Sequence, residues 1–271
     1  MLDSIGSRTT RPSQRIEHST YLPPFNVPIG MPWPGVVSRP ACQPRECVCL
    51  HCPVRNLSIC GALEEPELAA LDNVKHTIHY RHKAPLIDQD EPADSVHIVT
   101  EGVVRLHRPF LDGHRQVVGF ALPGDLLGHA IDNHNAYSAE ALGDVVTCKF
   151  SRKAFGELLN AMPHLMRHLH EVVVHELGIA QDHMMLLARY SAKQKLAVFL
   201  LQMRNRWRRV NGSSAYVGLP MPRQDIADYL GLTIETVSRT MSFLARQKIV
   251  VLVPDGVRIL DMERLARSAG E

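Results

Sequence analysis

"MPRQDIADYLGLTIETVSRTMSFLARQKI", residues 221–249, is the stretch on which the reading of this chain turns. Pro222 suits the first turn of a helix, and Ile226, Ala227 and Leu230 give that helix an inner face. Gly231 takes a tight turn, Thr233 can cap a second helix, and Ala227 is small enough to let the two helices cross closely. In the second helix Ile234, Val237, Met241 and Leu244 point inward, which turns Glu235, Ser238, Arg239 and Ser242 outward. That outward face has the chemistry of a major-groove reader. Arginine grips O6 and N7 of guanine, glutamate accepts from the amino group of cytosine, and serine serves either role. The competing reading is a solvated polar face on a small helical domain. Against it stand Arg223, Arg246 and Lys248, placed for phosphate contacts, and the hairpin "VVLVPDGVRIL", with Asp255-Gly256 at its turn, as a wing.

Upstream, a helical stretch from about Ala192 to Arg209 ends in the basic cluster "RNRWRR". Before it, Met162, Met166, Leu169, Val173, Leu177, Ala180, Met184 and Leu187 recur at steps of three and four, which predicts a helix of about seven turns. A second partial stripe, Leu165, Val172, Ile179 and Leu186, lies beside the first, so the helix buries more than one face. It either packs only on its own domain or forms a homodimer seam as well; its length and apolarity favour the seam. From Lys75 to Phe150 the texture is short alternating segments broken by "EG", "LDG" and "PGD", the punctuation of an antiparallel β-roll or barrel. A short amphipathic helix is expected from about Pro66 to Val74, with acids at its amino-terminal end. Residues 1 to about 41 are proline-rich and without period, which reads as an extended arm.

Between arm and helix lies "CVCLHCPVRNLSIC", Cys47 to Cys60, with four of the six cysteines of a 271-residue chain. No segment has the roughly 18 apolar residues of a membrane span, and the amino terminus has no apolar signal core, so the cytoplasm is the expected compartment. Thiols there are kept reduced, which favours metal ligands or redox sensors over structural disulfides. The net charge of +2 is uninformative in total; its clustering is not. The C-x2-C pair Cys49/Cys52 is as compatible with zinc as with an iron–sulfur cluster, and Cys148, alternating with Val146 and Phe150, reads on its own as a buried core cysteine. A redox enzyme or electron-transfer protein is a further class, but the chain has no convincing nucleotide phosphate loop and no nucleophile and base pair, so no enzyme is expected.

With these motifs in hand, the sequence resembles the CRP/FNR superfamily, and "IETVSR" is similar to the recognition-helix signature of its FNR branch. The resemblance covers the chain from the cysteines to the hairpin. It implies an α+β chain: a cysteine loop and cyclic-nucleotide-binding-like β-roll sensor over 42–160, a dimerisation helix over 161–190, and a winged helix-turn-helix over 191–271. It further implies a homodimer on palindromic double-stranded DNA, with RNA polymerase as a partner. Glu235, Ser238 and Arg239 would read a half-site resembling TTGAT. The spacing C-x2-C-x7-C at Cys49, Cys52 and Cys60 is that of the FnrN/FixK type, in which three such cysteines and a distant fourth, matched by Cys148, bind an oxygen-labile [4Fe-4S] cluster. Cys42 and Cys47 fall outside that pattern. Nucleotide-binding members hold the phosphate with an arginine before Ser-Ala and the ribose with a Gly-Glu. Here Tyr137 precedes Ser138 and Ala139, and Asp125 follows Gly124, so cyclic nucleotide is not the expected signal.

Overall fold

The alternating segments form a roll of two four-stranded antiparallel sheets in the computed structural model, which describes residues 48–110, 113–129, 133–212 and 215–270. The arm, Cys42 and Cys47 lie outside the described residues. One sheet holds β1 (His76–Tyr80), β3 (Ser95–Glu101), β6 (Leu126–Leu127) and β8 (Val145–Ser151) in the order β1-β8-β3-β6. The other holds β2 (Pro85–Ile87), β4 (Val104–Pro109), β5 (Arg115–Ala121) and β7 (Ser138–Ala141) in the order β2-β7-β4-β5.

Alternation sorts the side chains of β3 and β8 between two cores. Val99 and Val145 pack inside the roll with Leu86 and Ala139, whereas Val96, Ile98 and Phe150 pack outside it, with Cys148 against them. Both faces are therefore covered, and Val96, His97, Ile98 and Val99 are all buried. His97 keeps its place by hydrogen bonds with the hydroxyls of Ser95 (3.1 Å) and Thr147 (3.3 Å).

The outer face of that sheet is covered by three single 3-10 turns (Val48–His51, Arg55–Leu57, Ile59–Ala62), α1 (Glu65–Val74), α2 (Arg152–Ala161) and the start of α3 (Pro163–Arg189). α1 begins where its acids and Pro66 predict, and Glu67 accepts from the Glu64 amide at 2.9 Å.

α3 has 27 residues, a length of about 40 Å. Met162 is a correction to the expected stripe: Pro163 takes the first helical position, so Met162 lies just outside the helix with φ −125° and is buried in the core under the cysteine turns. Leu169 packs against the same core. Met166, Val173, Leu177, Ala180, Met184 and Leu187 are exposed on the single chain. Of the second stripe, Leu165 and Leu186 are buried within the chain.

Ser191 caps α4 (Ala192–Asn211), which Gly212 ends at φ +67°. The remainder comprises β9 (Tyr216–Gly218), α5 (Arg223–Leu230), α6 (Ile234–Arg246), β10 (Val250–Val253), β11 (Gly256–Ile259) and α7 (Met262–Ala269), with sheet order β10-β11-β9. The wing turns at Pro254-Asp255 rather than Asp255-Gly256, because Gly256 already pairs with Val253 and with Gly218. Glycine is needed there for close approach: a Cβ would stand 2.1 Å from the Val217 carbonyl oxygen. One core continues from Phe199, Leu200, Ile226 and Leu244 of this region into Val103, Val117 and Phe120 of the roll.

Candidate nucleic-acid interface and cysteine site

Gly231 adopts the left-handed conformation (φ +59°), and the Leu232 amide donates to the Ala227 carbonyl at 2.9 Å, so the chain reverses within two residues. The Thr233 hydroxyl then accepts from the Thr236 amide at 3.2 Å and starts α6. Val237, Met241 and Leu244 are buried as the spacing requires. Ile234 departs from the expectation: it is the first residue of the helix, ahead of the turn that packs, and is 38% exposed.

Glu235 and Arg239 are exposed on one face of α6 and Ser238 is half-buried between them. Arg239 Nε lies 3.4 Å from the Glu235 carbonyl oxygen, which holds the guanidinium along the helix. The Glu235 carboxyl is held below the usual carboxylate range, first by its own backbone amide and then by the Thr233 hydroxyl. It is therefore an acceptor at neutral pH, the state that reading a base amino group demands. Arg246 and Lys248 are exposed at the far end of α6, and Arg223 is half-buried at the start of α5.

Cys49, Cys52, Cys60 and Cys148 line one small cavity of about 20 Å³ between the 3-10 turns, α1 and β8. Cys148 stands on a central strand, paired with Thr77 of β1 and Ile98 of β3, so it is fixed, while Cys49 and Cys60 ride on 3-10 turns and Cys52 lies between two of them. The remaining lining is mainly apolar, with Ile98, Phe150 and Leu71 prominent. Burial pushes the Cys49 thiol far above its ordinary range, helped by its 3.2 Å hydrogen bond to Asp72. Burial also pushes the Cys60 thiol up to about 11 and raises that of Cys148. As bare thiols these are poor nucleophiles, whereas a bound cation of high charge would deprotonate them. Among the described residues no three His, Cys, Asp or Glu side chains converge as ligands of a single ion.

Lys75 also lines this cavity, its side chain 8% exposed and paired at 2.9 Å with Asp72. Sequence reading missed it; a lysine at the end of an amphipathic helix looks solvated unless the strand behind it is known.

Tyr137 and Asp125 are both engaged within the chain. The Gly128 amide donates to the Tyr137 hydroxyl at 3.3 Å. Asp125 accepts from the Leu122 amide at 2.7 Å and from Arg206 of α4. Arg206, part of the basic cluster, is thereby turned inward, and its other terminal nitrogen donates to the Phe120 carbonyl at 2.7 Å.

A roll, a long helix and a winged helix-turn-helix with a charged outer face define a DNA-binding regulator. Residues 194–268 match the Crp-like helix-turn-helix domain and residues 77–162 the cyclic nucleotide-binding domain. The transcriptional activatory protein AadR of Rhodopseudomonas palustris is 47% identical over 79% of this chain and 90% of its own length. The transcriptional activator protein FnrL of Cereibacter sphaeroides is 36% identical over 82% of this chain and 92% of its own. The structure of FixK2 from Bradyrhizobium japonicum matches with a TM-score of 0.67 and 35% identity, covering 72% of this chain and 96% of that one. The chain belongs to the CRP/FNR family and is a DNA-binding transcription regulator of the FNR/FixK type. No described helix is long and apolar enough to cross a membrane.

Proposed function

We propose that this regulator is an oxygen-responsive activator whose Cys49, Cys52, Cys60 and Cys148 hold a [4Fe-4S] cluster, and that it binds a TTGAT-type palindrome as a homodimer. The observation that carries the reading is that all four thiols line one largely apolar cavity, with Cys148 on a central strand. A single zinc ion would draw four sulfurs to roughly 2.3 Å from one centre, whereas a cubane would take one thiolate at each of four corners, so metal analysis separates the two. When bound, such a cluster supplies an oxygen-labile link among four thiolates. The chain supplies the rest. With the cluster bound, Cys49, Cys52 and Cys60 would tie the segment 49–60 to Cys148 on the rigid strand β8, and α1, which follows that segment, reaches α3 through Glu67 and His164 at 3.1 Å. The order of the turns thereby bears on the helix that carries the exposed apolar stripe. Activation is the role named for AadR and FnrL, and RNA polymerase is the partner that role requires. Glu235, Ser238 and Arg239 read the half-site; Arg223, Arg246 and Lys248 hold phosphates. Cyclic nucleotide is not the signal, because Tyr137 stands in place of the phosphate-binding arginine and Asp125 in place of the ribose-binding glutamate, and both are engaged within the chain by Gly128 and Arg206.

The test is a visible spectrum of protein purified without oxygen, with iron, sulfide and zinc assayed on the same sample and binding to the palindrome measured before and after air. A brown protein with iron and sulfide near four each per chain, which bleaches in air and then releases the palindrome, is the expected result. A colourless protein with one zinc per chain would overturn the oxygen mechanism and leave the DNA-binding assignment standing.

A further inference from the structure

Asp225 of α5 has no solvent exposure, and two cationic partners reach it from the roll, more than a hundred residues earlier in the chain. Nη1 of Arg105, on β4, lies 2.9 Å from each carboxylate oxygen of Asp225, and Nη2 of Arg115, on β5, lies 2.8 Å from Oδ1. The second terminal nitrogen of Arg105 donates to Glu140 on β7 at 2.8 Å. Beside this cluster Gln116 of β5 donates to the Asp228 carbonyl of α5.

A fully buried carboxylate is tolerable only with cations in contact. α5 presents Asp225 to the roll, and the two guanidiniums there neutralise it. The apolar part of the same junction, Phe120 of β5 against Phe199 and Tyr229 at centroid distances of 6.3 and 5.6 Å, supplies cohesion. Apolar contact has no directional preference and tolerates sliding. The planar guanidinium of Arg105, with one nitrogen on Asp225 and the other on Glu140, tolerates neither sliding nor rotation. α6 must follow α5, since the Gly231 turn and the buried Leu230 and Val237 join them.

We propose that Arg105, Arg115 and Asp225 are positioning residues for DNA recognition: their bridge fixes the angle of the α5–α6 pair on the roll and hence the separation of the two recognition helices in a dimer. The proposal rests on the homodimer and palindrome of the preceding reading. It adds a source of half-site spacing that lies outside the DNA contacts.

The experiment measures binding of full-length protein, prepared without oxygen, to palindromes whose half-sites are moved one base pair closer or further apart, and to a single half-site. Wild type should prefer one spacing by about tenfold or more, equivalent to some 1.4 kcal/mol. Asp225→Asn should flatten that preference while half-site affinity stays within about twofold of wild type. Arg105→Lys, which keeps the charge but loses the two-pronged contact, should flatten it too. Arg115→Met, at a side chain 38% exposed, is the variant least exposed to folding failure and should flatten it in part. An unchanged spacing profile in folded Arg115→Met and Arg105→Lys overturns the proposal, as does an equal loss on every probe including the half-site, which marks a merely structural role. A wild-type protein that binds palindrome and half-site alike would overturn the dimer reading, and the proposal with it.

Discussion

Leu57 rests on Gly124 so closely that a Cβ on the glycine would stand 2.8 Å from the leucine Cβ and 2.9 Å from its carbonyl oxygen. Leu57 lies in the 3-10 turn between Cys52 and Cys60, and Gly124 precedes the aspartate that receives Arg206 from α4. Gly124 also has φ +103°, so alanine there meets both strain and a clash. Gly124→Ala should cost about 1–3 kcal/mol in urea denaturation and open the segment 55–62 to proteolysis. Gly143→Ala is the control, since Gly143 has φ +142° but no atom within 4 Å of the added Cβ. Equal sensitivity of the cysteine turns in both variants would show that the Leu57 contact does not hold them.

Cys148→Ser should abolish iron and sulfide retention, because it removes the thiol held on the rigid strand. The winged domain should remain folded, and half-site binding by the air-exposed variant should match air-exposed wild type. Metal analysis and a DNA titration on one preparation check both. Full iron content in Cys148→Ser would transfer the fourth ligand to another residue, with Cys42 and Cys47 the first to substitute.

His97 gives stability a pH dependence of known sign. Burial drives its imidazole down to about 4, with the Lys149 charge adding to the effect. The unfolded chain takes up that proton near 6.5, the folded chain only near 4, so this contribution is complete above about pH 6.5 and is lost as pH falls from there towards 4. Its full span is about 3 kcal/mol. The difference in urea stability between pH 7 and pH 5 should shrink by about 2 kcal/mol in His97→Gln, a variant able to keep a hydrogen bond in the site. An unaltered difference would mean that His97 is protonated in both states or in neither.

Arg239→Ala should remove about 1–3 kcal/mol of discrimination at one base pair of each half-site. Arg246→Ala should weaken binding to all sequences alike and lower the salt slope by about one per subunit. A titration series against single-base variants at two salt concentrations separates the two roles. An Arg239 loss uniform over all sequences would reassign that residue to phosphate.

Leu177 is 58% exposed and Met184 62% exposed on α3. Leu177→Glu should therefore leave chain stability nearly unchanged, within about 0.5 kcal/mol. It should shift the sedimenting species from dimer to monomer, since a charge would enter the apolar seam. A dimer that survives the substitution would move the seam off this face.

The sequence made the helix-turn-helix legible because caps, glycine and inner spacing all report on the same local geometry. Thr233, Gly231 and Val237 each stand where the spacing requires. Cys148 was legible only as one member of a pattern, since alternation on β8 says that it is shielded but not by what. The misread positions have local causes. Met162 leaves the stripe because Pro163 fixes where the helix starts, and Gly256 leaves the turn because a neighbouring strand, distant in sequence, needs its missing side chain. Asp225 and Arg105 were illegible as a pair. The signal was an arginine between Val104 and Leu106 at the buried end of β4, and nothing in the chain marks its partner 120 residues away.

The continuous core joining Val103, Val117 and Phe120 to Phe199, Ile226 and Leu244 means that the roll and the winged domain are not interchangeable parts. A recombination event that cut the chain between α3 and α4 would leave each half with an apolar wound and a stranded charge. Grafting this winged domain onto another roll therefore requires that the contacts of β4 and β5 travel with it. The boundary along which this chain can be exchanged does not coincide with the boundary between its folded parts.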